Sequence, residues 1–130
     1  MAEGGAEYVA SIVTGSSRTS PKIDFGAAHE AEIWRQFVKD RAIANGNFDP
    51  SKGGFGGAGR EAFGHWLYNG GGGALPGWPS DMGYWLGMQI SKAYVERSTD
   101  PHAAIRELLA LQDPAEILRK SHYADKFTER

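Results

Sequence analysis

Residues 79–121 read PSDMGYWLGMQISKAYVERSTDPHAAIRELLALQDPAEILRKS, and this stretch decides the fold because it marks three consecutive helices. The first opens at Pro79-Ser80-Asp81 and runs to about Arg97. Thr99-Asp100-Pro101 starts the second, with the proline at the first helical position, where its missing N–H costs nothing. Asp113-Pro114-Ala115-Glu116 then gives a capping residue, a first-turn proline and a third-position glutamate, which predicts a helix ending near Ser121.

Two more helices are predicted upstream of this stretch. Apolar residues recur at helical spacing over Ala2–Thr14, and Gly15 is a natural C-terminal stop. After a polar linker, Gly15–Asp24, a second apolar stripe predicts a helix over roughly Ala27–Asn45, which Gly46 ends. No alternating pattern predicts strands. The expected fold is therefore mostly α, a compact bundle of about four to five helices in a single domain, 1–130.

The middle of the chain, residues 46–79, is rich in glycine and aromatic residues. Between Gly46 and Gly77 lie 12 of the 18 glycines, which raises the entropy cost of ordering this segment. We predict a long, mobile surface loop with one or two helical turns around its aromatic segment, and such loops are often functional. Two roles stay open for its aromatic side chains, which either line a binding groove or anchor the loop. The candidate binding residues are His65, Trp66, Tyr68 and Trp78, joined by Trp85 on the next helix.

Composition narrows the class of protein. With 41% hydrophobic and 23% charged residues, the chain is expected to be soluble and globular. A net charge of −2 makes nucleic acid an unexpected partner, and the lack of cysteine rules out disulfides and thiolate metal sites. We expect no membrane span. No signal peptide is recognised in this chain, so the default expectation for its location is cytoplasmic.

Glu3 and Glu7 are the residues whose spacing suggests metal chemistry. They lie four apart on one face of the first helix, with two glycines between them. A catalytic zinc site needs three protein ligands, and the usual helix supplies two histidines four apart in an HExxH motif. None of the four histidines here has another at that spacing. Two interpretations of the pair remain open, a metal ligand with its partner or two solvated carboxylates near a helix N-terminus.

Three segments resemble one known group of proteins. EGGAEYVASIVTG from Glu3, PSDMGYWLGMQISKAYVER at 79–97 and DPAEILRKSHYA at 113–124 resemble segments of predicted bacterial zinc-dependent proteases of unknown function, of the gluzincin type. Relatives of a gliding-motility lipoprotein are among them. The resemblance spans nearly the whole chain, but the HExxH helix that should precede Glu3 does not occur.

The resemblance implies the C-terminal half of a zinc metallopeptidase, folded like the C-terminal subdomain of a zincin. Glu3 would be the third zinc ligand. Glu7 would not bind the metal itself but would orient a metal-bound histidine. Tyr84 would donate a hydrogen bond to the oxyanion of the tetrahedral intermediate in peptide hydrolysis. Alternatively, Tyr84 and Trp85 are aromatic residues that pack in the core or at its edge. The complete parent would use zinc against a peptide substrate. Without HExxH, we expect this chain to be inactive and to bind zinc weakly or not at all.

A second hypothesis is a non-catalytic binding module. Its Gly-rich aromatic loop would hold a peptide, a glycan or a protein partner, with the helices as scaffold. Under the first hypothesis the missing half would leave apolar helix faces uncovered, which predicts a homo-oligomer or a complementing N-terminal half.

Overall fold

The computed structural model describes residues 1–15 and 19–128 and is mostly helical, which confirms the predicted fold class. Two short strands pair antiparallel, with Phe48 opposite Phe55. The described part contains six α-helices, one more than the upper prediction, because the glycine-rich segment holds a helix of its own. Their bounds are α1 Ala2–Thr14, α2 Pro21–Gly46, α3 Gly57–Gly64, α4 Met82–Arg97, α5 Pro101–Ala110 and α6 Pro114–Ser121; the strands are β1 Phe48–Asp49 and β2 Gly54–Phe55, and 3-10 turns lie at Pro50–Lys52 and Tyr123–Phe127.

The chain divides into two compact units. Unit 1 comprises Met1–Thr19 and Gly83–Arg130, and unit 2 comprises Ser20–Met82. The prediction of a single domain remains a prediction, and each unit is described by itself.

Unit 1 follows the predicted helix punctuation closely. Asp100 accepts a hydrogen bond from the backbone N–H of Ala103 at 3.1 Å, and Asp113 accepts one from that of Glu116 at 3.0 Å. These caps satisfy N–H groups that have no partner within the helix. The capped helices bury one apolar cluster made of Tyr94, Val95, Ala104, Leu108 and Ile117.

Two glycines bring the backbones of α1 and α4 into contact. A Cβ atom on Gly4 would lie 2.4 Å from the backbone nitrogen of Met88 and 2.6 Å from the Cα of Gly87. No side chain fits at that distance. The glycines at positions 4 and 87 therefore permit the close approach of the two helices.

In unit 2 the long helix starts earlier than predicted. The predicted linker, Gly15–Asp24, is wrong from Pro21 onwards, because α2 begins at that residue. Residues 16–18 of the predicted linker lie outside the described residues. The side chain of Ser20 accepts a hydrogen bond from the N–H of Ile23, and Pro21 takes the first helical turn. This Ser-Pro signal outweighs the weak apolar pattern that follows it. A non-helical backbone at His29 then kinks α2.

The prediction of one long loop over residues 46–79 is also wrong. Part of the segment forms the hairpin of β1 and β2, and α3 follows. Glycine helps to build these elements: Gly53 and Gly54 have φ angles of 84° and 110°, in the region that L side chains rarely adopt. At Gly59 a Cβ atom would lie 2.7 Å from the Cβ of Asn47, so glycine lets α3 approach the end of α2.

Replacing Gly4 by alanine should destabilise the protein. The added methyl group overlaps the backbone of α4, so we expect the free energy of unfolding to fall by about 1–3 kcal/mol despite the better helix propensity of alanine. Chemical denaturation measures this change.

The neighbouring Gly5→Ala substitution is the control. Its Cβ atom would lie 3.5 Å from the hydroxyl of Ser91, an ordinary contact, so stability should stay equal or rise by up to about 1 kcal/mol. Equal stability of the two variants would contradict the glycine contact.

Candidate functional site

The residues predicted for a site are divided between the two units. Unit 1 contains Glu3, Glu7, Tyr84 and Trp85. Unit 2 contains His65, Trp66, Tyr68 and Trp78. Each group is therefore considered within its own unit.

The two glutamates of α1 do not form a metal site with their surroundings. Glu3 is half-buried and Glu7 is exposed. Across residues 1–15 and 19–128, no three histidine, aspartate or glutamate side chains come together to hold a metal ion. The residues present thus do not fit a zinc centre with three protein ligands. Burial lowers the pKa of the Met1 ammonium, and the negative charge of Glu3 acts in the opposite direction.

The aromatic residues at the start of α4 differ in exposure. Tyr84 is half-buried, whereas Trp85 is only 3% exposed and lies in the core. A partner could stack on Trp85 only after a rearrangement. The oxyanion role of Tyr84 and the binding role of Trp85 remain predictions.

A buried carboxylate on α2 organises the aromatic segment of unit 2. Asp40 is 3% exposed and accepts two hydrogen bonds on the same oxygen. One comes from Nδ1 of His65 at 2.9 Å and the other from Nε1 of Trp66 at 3.0 Å. An ionised carboxylate can only accept, so the contact with His65 is a hydrogen bond in the tautomer that has its proton on Nδ1. This arrangement fixes both rings against α2.

The tryptophans of this segment pack on each other and on α2. Trp66 is 7% exposed and meets the rings of Phe37 and Trp78 edge-on, at centroid distances of 5.6 and 5.8 Å. Trp78 also lies 5.6 Å from the ring of Phe25. In this structure Trp66 and Trp78 anchor the segment, which was the alternative role for them. Their binding role remains a prediction that requires their exposure.

A reciprocal pair closes the glycine-rich turn between these tryptophans. The backbone N–H of Asn69 donates to the carboxylate of Asp81 at 3.1 Å, and the backbone N–H of Asp81 donates to the amide oxygen of Asn69 at 2.7 Å. The amide nitrogen of Asn69 also donates to the carbonyls of Gly64 and His65, both at 2.9 Å. Tyr68 stands beside this pair, 73% exposed.

A different group of aromatic rings does face solvent in unit 2. Phe48 and Phe63 are 52% and 37% exposed, and Phe55 lies between them, half-buried. The ring of Phe55 stacks on that of Phe63 at 5.4 Å and meets that of Phe48 at 5.2 Å. We call these three residues the Phe surface. Phe48 and Phe55 belong to the hairpin, and Phe63 belongs to α3.

Sequence reasoning missed Asp40 and the Phe surface. Asp40 reads as an ordinary polar position of a helix, and only the fold brings it to His65 and Trp66. The Phe surface had a signal, since Phe55 is flanked by glycines in GGFGG. A large apolar residue amid glycines, with no periodic apolar neighbours, indicates exposure.

The family model of gliding motility protein GldB matches residues 71–125. The match covers less than half of the chain and contains two of the three segments that carried the resemblance, 79–97 and 113–124. No protein of curated function and no solved structure matches this chain. The prediction of a zinc-protease C-terminal half is wrong, because the matching family is not a zinc protease family. The main function that rested on that prediction, a portion of a zinc metallopeptidase, is wrong with it.

Removing the buried carboxylate should destabilise unit 2. In Asp40→Ala the donors of His65 and Trp66 lose their acceptor, so we expect the free energy of unfolding to fall by about 3 kcal/mol. Asp40→Asn retains an acceptor oxygen and should cost less. The exposed Asp24→Ala on the same helix is the control, with an expected loss of about 0.5 kcal/mol. Equal losses at the two aspartates would show that the buried network contributes no stability.

Zinc titration by calorimetry tests the expectation about metal. We expect weak binding or none, with the same result for Glu3→Ala, because no group of three ligands surrounds this residue in the described part of the chain. Tight binding that disappears in Glu3→Ala would contradict this and point to ligands recruited from a second subunit.

Proposed function

We propose that the chain is a non-catalytic, protein-binding module related to gliding motility protein GldB. The observation that carries the proposal is the Phe surface, a patch of three contacting aromatic rings in the glycine-rich segment. The match over residues 71–125 supports the motility context.

The chemistry of the Phe surface favours a protein partner over a glycan. Phenylalanine rings have no hydrogen-bonding group to meet sugar hydroxyls, whereas they pack well against apolar side chains. Nearby charge is balanced, since Lys52 pairs with Asp49 at 3.6 Å. A cluster of exposed aromatic rings is the usual centre of a protein interface. We therefore infer that the partner packs apolar side chains against the exposed rings of the Phe surface.

We further propose that the module works at the cell envelope. Among residues 1–15 and 19–128, no helix combines the length and the hydropathy that crossing a bilayer requires. The matching family is one of lipoproteins, which supports association with a membrane surface instead of the default cytoplasmic location. Self-association remains a second possible use of the Phe surface.

Site-specific photo-crosslinking in the host cell tests the interface. A benzophenone amino acid placed at Phe63 should form a covalent adduct with one defined protein, because this ring is exposed and belongs to the proposed contact. The same probe at Leu109, which is 62% exposed in unit 1, is the control and should not form that adduct.

The substitution Phe48→Ser should abolish the adduct at position 63 while the helical circular dichroism stays unchanged. An adduct that persists in this variant, or one formed equally from position 109, would contradict the interface. An adduct with a second copy of the chain would mean that the Phe surface forms a homodimer and does not bind a different protein.

A further inference from the structure

A pocket of about 530 Å³ lies along α5 and α6 in unit 1, well away in sequence from the Phe surface. Its volume falls within the range of small-molecule sites. The apolar part of its lining comes from Ala103, Ala110 and Ile117, and Ile117 is 5% exposed. The polar part comes from charged residues of both helices and of the turn between them.

The carboxylates around this pocket already have partners within the protein. Glu107 accepts a hydrogen bond from the hydroxyl of Tyr94, and burial, followed by this bond, raises the pKa of Tyr94 to about 12. Glu116 accepts two hydrogen bonds from Arg119, at 2.6 and 2.7 Å, which lower the pKa of Glu116. Asp113 caps α6. Each of these carboxylates therefore has at least one partner within unit 1.

The donors around the pocket are in the opposite situation. The exposed side chains of Arg106 and Gln112 have no hydrogen-bond or ion-pair partner among the described residues. Lys120 forms an ion pair with Glu116 at 3.8 Å, but this distance is too long for a hydrogen bond, so the N–H donors of Lys120 stay available. A planar guanidinium with all its donors available matches the geometry of a carboxylate. The pocket therefore offers donors beside an apolar lining.

We propose that this pocket binds a small amphipathic carboxylate, with the acid group on Arg106 and Lys120 and the apolar chain against Ala103, Ala110 and Ile117. Counting Arg119, three cations balance the three carboxylates around the pocket. The affinity for the ligand thus depends on direct hydrogen bonds and on burial of the ligand's apolar chain, not on long-range electrostatic attraction. The proposal is independent of the Phe surface and of its partner.

Octanoate is the probe for this site, measured by calorimetry with the full chain. We expect saturable binding that is at least about tenfold tighter than that of octanol, which lacks the charge. Octylamine, which has the opposite charge, should bind more weakly than octanoate. No saturable octanoate binding, or tighter binding of octylamine, overturns the proposal.

Two pairs of variants locate the bound probe. Arg106→Gln should weaken octanoate binding about tenfold, whereas Arg35→Gln on α2 removes the same charge and should leave it unchanged. Ala110→Trp places a ring into the pocket and should abolish binding. Ala115→Trp, on the exposed side of α6 outside the lining, is its control. Equal affinities within either pair overturn the assignment to this pocket.

Discussion

The backbone contact between Gly4 and Gly87 is the constraint on which unit 1 depends. Both glycines lie inside helices, where each costs roughly 1 kcal/mol relative to alanine as an isolated preference. Glycine is nevertheless required at position 4, because any side chain there would overlap the backbone of α4. With this close approach in place, Tyr8 of α1 packs against the apolar cluster that α4, α5 and α6 bury. The pocket along α5 and α6 is one outer face of the same assembly.

Unit 2 rests on a different kind of interaction, polar and buried. Asp40 replaces water with two ring N–H groups, and the rings it fixes then carry the aromatic packing of residues 65–78. A buried carboxylate without partners would be costly, so these bonds specify one arrangement of the segment. The same bonds also help to position the Phe surface, because α3, which carries Phe63, ends at Gly64, immediately before His65. Stability and presentation of the exposed rings are therefore coupled along the chain.

Local signals in the sequence were sufficient for four helices of the fold. The bounds of α1 were predicted to the residue, and Pro101 and Pro114 located α5 and α6, because caps and first-turn prolines act within a few residues. Contacts between distant residues were not available from such signals. Asp40 lies 25 positions from His65, and nothing local distinguishes it from a solvated aspartate. The same limit explains the metal hypothesis: Glu3 and Glu7 have the right spacing, but a site depends on what the fold brings to them.

The reciprocal bonds between Asn69 and Asp81 join the two ends of the glycine-rich turn. Four backbone and side-chain hydrogen bonds hold the ends of this turn, while Gly70 and Gly71 are exposed with nothing around the position of a Cβ atom. Extra residues inserted at this point would lengthen a loop whose closure is already secured, at a small entropic cost. The turn is thus a natural place for an epitope, a fluorescent label or a tether, and for length variation that leaves the buried network untouched.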